Sequence, residues 1–177
     1  GFQVTAKVGC DIQSLLCDQF GLMSDYLAHR ISTIFLDGKP VDDVASAMVR
    51  DGATLALSAA MPGLVGATFR KAGCLAALRG SITYTKKDEA PAACYDGIIT
   101  LKLFNLLVTE MGPQFLERGI WVSGSDLRDV LRTLPSDVDT LFKKIEKNGN
   151  GIASDKIVDL EWITPDARYF LQATAEP

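Results

Sequence analysis

Two Asp-Gly dipeptides lie close together in the first third of the chain, and each borders an apolar run. Asp37-Gly38 follows RISTIFL, and Asp51-Gly52 precedes ATLALSA. Glycine adopts positive φ values without a steric penalty, so Asp-Gly beside such runs is typical of a tight turn between strands. RISTIFL is also rich in the β-branched and aromatic residues that favour strands. This region is therefore predicted to form a small sheet with two sharp reversals.

The residues around these turns predict a helix and further strands. Phe2–Val8 alternates apolar and polar side chains, with the period of a half-buried strand. Apolar residues then recur at helical spacing, at Ile12, Leu15, Leu16 and Phe20. They predict an amphipathic helix that begins near Asp11 and ends near Gly21. Pro40 should keep the strand after the first turn, around Val41, short or at a sheet edge.

The segments DIQSLL, IFLDGKPVDD and VRDGATLALSAAMPG together resemble the ubiquitin-like β-grasp fold. They are most similar to its sulfur-carrier branch, the small subunit of molybdopterin synthase and the thiamine sulfur carrier. The resemblance covers residues 2–63 and implies a β-grasp-like module there. S4-type RNA-binding domains, which share a similar ending, are a second analogue.

The sulfur carriers end in Gly-Gly, and the resemblance implies their chemistry only where a terminal carboxylate can be adenylated and thiolated. Here PGLVGATFRKAG continues the chain beyond that point. Carrier chemistry is therefore not expected unless cleavage exposes Gly63 or Gly66. A fold alone does not transfer a function.

The distribution of charge predicts a boundary near the middle of the chain. Residues 1–87 carry nine Lys and Arg against seven Asp, whereas residues 88–177 carry nine Lys and Arg against fifteen Asp and Glu. The change falls at the linker-like stretch TKKDEAPAA. We therefore expect an α+β protein with a β-grasp-like module and small-residue extension in residues 1–84 and a second small α+β module in residues 85–177. The sequence leaves open whether the two modules share one core.

The second predicted module contains both helices and strands. The strands are DGIITLKLF, IWVSG, IVDLEWI and ARYFLQATA. The helices are NLLVTEMGPQFLERG, interrupted at Gly112-Pro113, then DLRDVLRTL, capped by Ser125, and PSDVDTLFKKIEK. Periodicity does not decide whether FRKAGCLAALRG is a helix or a pair of strands.

Composition excludes several classes of function. A chain of 177 residues with 47% hydrophobic and 23% charged residues is typical of a soluble globular protein. A net charge of −4 argues against nucleic acid and anionic membranes as partners. The longest mainly apolar stretch, Ala53–Ala67, is shorter than the roughly 20 residues that span a bilayer. We expect a cytoplasmic protein that does not contact membranes, although a start at Gly1 leaves a removed leader open.

The cysteines and the histidine match no pattern of metal or redox chemistry. Cys10, Cys17, Cys74 and Cys94 form no CxxC motif, and His29 is the one histidine. A structural zinc site needs closely spaced pairs of ligands, so no metal is predicted. The cysteines are expected to be small buried hydrophobic residues in a reducing cytosol, and a redox or metal role is the alternative.

The segment EKNGNGIASDKI resembles an EF-hand calcium loop, with Glu146, Asn148 and Asn150 at the first ligand positions. The twelfth position, which should be a bidentate Glu, is Ile157. We therefore expect an Asn-Gly loop after a helix rather than a calcium site.

AMPGLVGATFRK offers the one candidate for ligand binding. Backbone N–H groups at Gly63 and Gly66 can form an anion-binding nest beside the basic pair Arg70 and Lys71. The segment matches neither the P-loop nor the dinucleotide-binding motif. The alternative is tight packing of small residues with solvated charges beyond them.

No serine, cysteine or carboxylate motif of an enzyme is present, so we assign no catalytic residue and no cofactor. The sequence favours a non-catalytic protein-binding or assembly module, which contacts a protein partner or a second copy through a sheet edge at Val41 or through Gly63–Gly80. One alternative is a protein or enzyme that binds a small molecule, such as a nucleotide or another anion, at Gly63–Lys71. A third hypothesis is RNA binding, by analogy with S4 domains.

Overall fold

The structure is a computed structural model that describes residues 1–85, 93–134, 146–151 and 160–174. The chain divides into two compact units, Gly1–Ile120 with Gln172–Pro177 and Trp121–Leu171. Helices occur together with parallel and antiparallel strands, which confirms the α+β class. The division into modules at residues 84 and 85 stays a prediction. Within the described ranges, no helix has both the length and the hydrophobicity needed to cross a bilayer.

The first unit is built on a mixed sheet. Its strands are β1 (Phe2–Val8), β2 (Thr33–Leu36), β3 (Lys39–Pro40), β4 (Thr54–Ser58) and β5 (Tyr95–Phe104). They lie in the order β3-β2-β4-β5-β1. The β4–β5 pair is parallel, and the other pairs are antiparallel. The strands predicted from residues 2–58 thus share one sheet, but β5 lies between β4 and β1.

The alternation predicted for β1 is confirmed, since Val4, Ala6 and Val8 are buried while Thr5 and Lys7 are exposed. The period of two places these apolar side chains on one face of the sheet. On β5 the side chains of Ile99 and Leu101 are fully buried, and they lie opposite Val4 and Phe2 of β1. The core of the first unit therefore includes the centre of β5.

Both Asp-Gly turns are confirmed, and their aspartates tie neighbouring strands together. Asp37 and Gly38, with φ of 50° and 77°, connect β2 to β3. Asp37 Oδ1 accepts a 2.7 Å hydrogen bond from the backbone N–H of Thr54 in β4. Asp51 Oδ1 accepts a 2.8 Å hydrogen bond from the backbone N–H of Ile98 in β5. Asp37 therefore ties the β2–β3 turn to β4, and Asp51 ties the turn that precedes β4 to β5.

The predicted amphipathic helix is confirmed in position, but its hydrogen bonding over Ser14–Gln19 is that of a π-helix. Its four predicted inward residues are buried, namely Ile12, Leu15, Leu16 and Phe20. The Asp11 carboxylate accepts hydrogen bonds from the backbone N–H and hydroxyl of Ser14, at 2.8 and 3.0 Å. Gly21, with φ of 74°, ends the segment, and α1 (Ser24–His29) follows.

The remaining helices of the first unit are α2 (Gly63–Phe69), a 3₁₀-helix (Ala76–Ile82) and α3 (Leu106–Arg118). FRKAGCLAALRG therefore contains no strand: it runs from the end of α2 through a turn region into the 3₁₀-helix. The predicted interruption at Gly112-Pro113 is wrong, because α3 continues through Pro113. Proline removes one backbone donor from a helix. Burial of Met111 and Phe115, on either side of Pro113, offsets the missing hydrogen bond. The centroids of the Phe115 and Phe20 rings lie 5.1 Å apart.

The second unit begins with β6 (Ile120–Ser123), which starts at the unit boundary, and α4 (Gly124–Arg132). Its other described elements are the hairpin of β7 (Glu146–Lys147) and β8 (Asn150–Gly151), a 3₁₀-helix (Leu160–Trp162) and β9 (Arg168–Leu171). Strands β6 and β9 are neighbours in their sheet. The strand predicted for IVDLEWI is wrong at Leu160–Trp162, which form a 3₁₀-helix. The predicted turn that follows is closed by a 3.1 Å hydrogen bond from the backbone N–H of Ala167 to the carbonyl of Thr164.

Three other predictions for this unit have definite outcomes. Ser123, not Ser125, caps α4, because its hydroxyl accepts a 3.1 Å hydrogen bond from the backbone N–H of Asp126. The first half of the calcium-loop-like segment forms the β7–β8 hairpin, with Asn148 at a φ of 53°. Three predicted stretches lie outside the described residues, namely 135–145 of the helix PSDVDTLFKKIEK, 152–157 of the loop and 157–159 of the strand IVDLEWI. The helix prediction is wrong at Glu146–Lys147, which form β7.

Candidate functional site

The four residues predicted to bind an anion occupy different environments. Gly63 is exposed at the start of α2 with a φ of 74°. Gly66 is buried, and a Cβ atom there would lie 1.9 Å from the carbonyl oxygen of Met61. Arg70 is exposed, whereas Lys71 is half-buried. Gly66 thus permits a close backbone approach, as the packing alternative expects, and Lys71 lines the cleft described next.

This cleft, here called the Lys71 cleft, has a volume of about 380 Å3. The loop after β3, the start of the helical region after β1, α1 and Lys71 after α2 all contribute to it. Its polar lining residues are Gln13, Ser24, Asp42, Asp43 and Lys71, and its apolar ones are Leu27, Ala28 and Val44. The cleft therefore combines one amine, two carboxylates and two neutral hydrogen-bonding side chains over an apolar floor.

Lys71 is held in the cleft by neutral groups. Its Nζ donates a 2.7 Å hydrogen bond to the carbonyl of Leu27, and its backbone N–H donates a 2.7 Å bond to the carbonyl of Ser32. Among the residues that the structure describes, no carboxylate forms an ion pair with this amine. Burial lowers the pKa of Lys71, because removal from water disfavours the charged form.

The adjacent Asp42 compensates a buried arginine. The Arg79 side chain is only 1% exposed, and its Nη2 donates to Asp42 Oδ1. The same oxygen accepts a 2.8 Å hydrogen bond from the backbone N–H of Ala72. Arg79 Nε and Nη1 have no hydrogen-bond partner within the described part of the chain. Asp42 therefore links the segment after α2 to the loop after β3, and one of its oxygens is already occupied.

A second polar cluster joins α1 to α3. Tyr26 donates a 2.6 Å hydrogen bond to Glu110 Oε2, and Arg30 Nε donates to both carboxylate oxygens at 3.0 and 3.1 Å. Hydrogen bonds from Arg30 and then Tyr26 lower the pKa of Glu110 to about 2. Burial, followed by the bond to Glu110, raises the pKa of Tyr26 to about 12. These groups satisfy one another, so we interpret the cluster as structural.

Glu110→Gln tests this interpretation through pH. The folded-state pKa of Glu110, about 2, lies below its ordinary 4.5, so its stabilising contribution is present above pH 4.5 and is lost as the pH falls through 2. We expect the variant to melt below the wild type by a constant margin at neutral pH, and this margin to shrink between pH 4.5 and 2. Thermal unfolding across this range measures the margin. Glu117→Gln, at an exposed position on the same helix, is the control, and a margin independent of pH would contradict the interpretation.

The cysteines and the histidine assemble no catalytic or metal site in the described ranges. All four cysteines are free. The prediction that they are buried is confirmed for Cys10, holds only in part for the half-buried Cys17, and is wrong for Cys74 and Cys94, which are exposed. Burial, then the proximity of Cys94, raises the pKa of the Cys10 thiol. His29 is exposed on α1, and its Nδ1 lies 2.9 Å from Asp25 Oδ1. No group of three or more potential metal ligands occurs among these residues.

The helical segment after β4 presents large apolar side chains to solvent. Leu64 and Val65 on α2 are 72% and 62% exposed, and Leu78 and Ile82 on the adjoining 3₁₀-helix are 71% and 49% exposed. We call these four side chains the α2 surface. Large exposed apolar groups of this kind are typical of interaction sites when they are grouped on a fixed element.

Specific contacts fix the segment that carries the α2 surface. The Phe69 ring contacts Phe35 of β2 at 5.3 Å between centroids. Beyond the 3₁₀-helix, the backbone N–H of Tyr84 donates a 2.8 Å hydrogen bond to the carbonyl of Pro40. This bond also occupies a backbone group of β3, the predicted edge strand. The segment is therefore held in place while its apolar side chains stay in water.

Sequence reasoning found Lys71 and the segment Gly63–Gly80, but it did not separate the buried Arg79 from the exposed basic residues. The apolar run CLAAL directly before Arg79 is the local signal that could have indicated its burial. No sequence pattern indicated that Gln13 and Ser24 would line the same cleft as Lys71. No protein-family model, curated protein or solved structure matches the chain.

Proposed function

We propose that the protein is a non-catalytic binding module of the cytoplasm that docks a protein partner on the α2 surface. The observation that carries this proposal is the exposure of Leu64, Val65 and Leu78, each above 60%, on an anchored segment. Burial of apolar area drives protein association, and the centres of interfaces are apolar and depleted of charge. A partner with a complementary apolar face would remove these side chains from water.

The anchoring of the segment supports the same proposal. An apolar segment free to move could fold back and cover its own side chains. Here the contact between Phe69 and Phe35, and the backbone bond from Lys71 to Ser32, hold it on the sheet. A surface that is already ordered loses less conformational entropy when a partner binds. The β-grasp resemblance of residues 2–63 belongs to this proposal, as a scaffold for the surface.

Neither the sheet edge near Val41 nor the anion site at Gly63–Lys71, both raised by the sequence, has comparable support. The edge strand β3 is two residues long, and the carbonyl of Pro40 is already bonded to Tyr84, so little of this edge is free to pair with a partner strand. The anion site would need Gly66 and Arg70 beside Lys71, but Gly66 backs onto Met61 and Arg70 faces solvent. The α2 surface is therefore the better-supported binding site.

The double variant Leu64→Asp/Leu78→Asp tests the proposal. We expect it to lose partner binding, because two carboxylates in a closed apolar interface would be desolvated without a counter-charge. Its melting temperature should stay close to that of the wild type, since exposed substitutions usually change stability by about 0.5 kcal/mol or less. Affinity capture with quantitative mass spectrometry, together with sedimentation to detect self-association, measures binding.

Val108→Asp is the matched control, because Val108 is 53% exposed on α3, outside the α2 surface. It should retain every protein that the wild type captures and that the double variant loses. A partner retained equally by all three proteins would place the binding site elsewhere. A wild type that captures no protein specifically and stays monomeric at high concentration would refute the proposal.

A further inference from the structure

Lys71 combines features that distinguish a reactive lysine from a surface one. The residue is half-buried and lines a cleft of about 380 Å3. Its hydrogen bond goes to the neutral carbonyl of Leu27, and no described carboxylate pairs with it. We propose that Lys71 is a carbonyl-reactive lysine, and that the Lys71 cleft takes a small neutral aldehyde bearing a hydroxyl group or another hydrogen-bond donor. This site is independent of the α2 surface.

The environment of Lys71 makes the neutral amine, which is the form that attacks a carbonyl, more accessible than it is on a fully solvated lysine. A lysine loses basicity when it is removed from water without a counter-charge, and imine-forming lysines in enzymes are activated in this way. The lowered pKa of Lys71 has burial as its cause, in agreement with the geometry. The open cleft beside the amine supplies the room that a fully enclosed lysine would lack.

The other side chains of the cleft select the class of aldehyde. Asp42 and Asp43 place two carboxylates on its wall, although Oδ1 of Asp42 is bonded to Arg79 and Ala72. Carboxylates accept hydrogen bonds and repel anions. A neutral aldehyde with a hydroxyl or amide donor is therefore favoured, and a carbonyl compound with its own carboxylate, such as a 2-oxo acid, is disfavoured.

The reaction is a condensation without a redox change. The ammonium of Lys71 first gives a proton to water, and the free electron pair on Nζ forms a bond to the carbonyl carbon. The π electrons of the carbonyl move to oxygen, which takes up a proton to give a carbinolamine. The positively charged nitrogen gives up one proton, the hydroxyl takes up a proton and leaves as water, and the electron pair on nitrogen forms the C=N bond of a protonated imine. The ammonium and the aldehyde are thus converted to an iminium ion and one water molecule.

Reductive trapping of the intact protein tests the proposal. Glycolaldehyde with cyanoborohydride at pH 7 converts each imine to a stable adduct, and peptide mass spectrometry gives the labelling rate of every lysine. We expect Lys71 to be labelled severalfold faster than the exposed Lys39 and Lys102. With glyoxylate, an anionic aldehyde, the rate ratio of Lys71 to Lys39 should fall, and Asp43→Asn should restore it.

The comparison within the wild type decides the outcome without any variant. If Lys71 is labelled no faster than Lys39, the proposal is overturned, whatever the behaviour of the α2 surface. A higher ratio with glyoxylate than with glycolaldehyde overturns the assigned class of aldehyde. Lys71→Arg, which keeps the charge and a donor for Leu27, should remove the fast adduct and leave the rates at Lys39 and Lys102 unchanged.

Discussion

Replacing Leu101 with Ala should lower the free energy of unfolding of the first unit by about 3 kcal/mol. Leu101 is fully buried at the centre of β5, opposite Phe2 of β1 and Leu55 of β4. Truncation loses the transfer free energy of its methyl groups and leaves a cavity that the two neighbouring strands cannot fill without moving. Urea unfolding followed by circular dichroism measures the loss.

Hydrogen exchange of the same variant tests the strand order. Because β5 lies between β4 and β1, amides of both neighbours should lose protection together with those of β5. Lys102→Ala, at the exposed position next to Leu101, is the control and should change stability by about 0.5 kcal/mol or less. If β1 and β4 keep their protection while β5 loses its own, β5 is not the centre of this sheet.

Local patterns predicted the elements of the first unit well, because each pattern reflects local geometry. The alternation in Phe2–Val8 reflects the period of a strand. The turns at Gly38 and Gly52 could be predicted because glycine readily adopts the positive φ values that these turns require. The buried face of the segment around Ser14–Gln19 was found from its apolar spacing. Its π-helical hydrogen bonding was not, since α- and π-helical turns share similar apolar spacings over so short a segment.

The position of β5 could not be predicted in this way. DGIITLKLF was recognised as a strand, but a strand pattern does not name its neighbours. β4 (Thr54–Ser58) pairs in parallel with residues 100–104 of β5. This pairing brings together two strands that are separated in sequence by residues 59–94. Strand order of this kind is decided by packing over long sequence separations, which no local pattern records.

The candidate site shows the same division between local and distant causes. The sequence allows Gly66 to belong to an anion nest or to a closely packed segment, and only the contact with Met61 distinguishes the two. The burial of Arg79 is not predicted by the sequence, since the carboxylate that makes it possible lies 37 residues away in sequence. Contacts at that separation are visible only once the chain is folded.

Replacing Asp42 with Ala should destabilise the first unit by about 3 to 5 kcal/mol, because it leaves a buried guanidinium without a counter-charge. The Arg79 side chain is 1% exposed, and two of its three nitrogens already lack a partner among the described residues. The substitution also removes the acceptor for the backbone N–H of Ala72. Asp43→Ala is the matched control, since Asp43 is the exposed neighbour and should contribute far less.

Removal of the arginine should rescue much of this loss. Arg79→Met keeps an unbranched apolar side chain of similar length, and replacement of a buried charge by a hydrophobic residue is often close to neutral. We therefore expect Asp42→Ala/Arg79→Met to be more stable than Asp42→Ala alone, although the double variant has lost both partners. A double-mutant cycle from urea unfolding measures this coupling. A double variant no more stable than Asp42→Ala would mean that the unpaired charge of Arg79 carries no large cost. The segment with the α2 surface would then be held by its backbone hydrogen bonds and the ring contact of Phe69, and not by this ion pair.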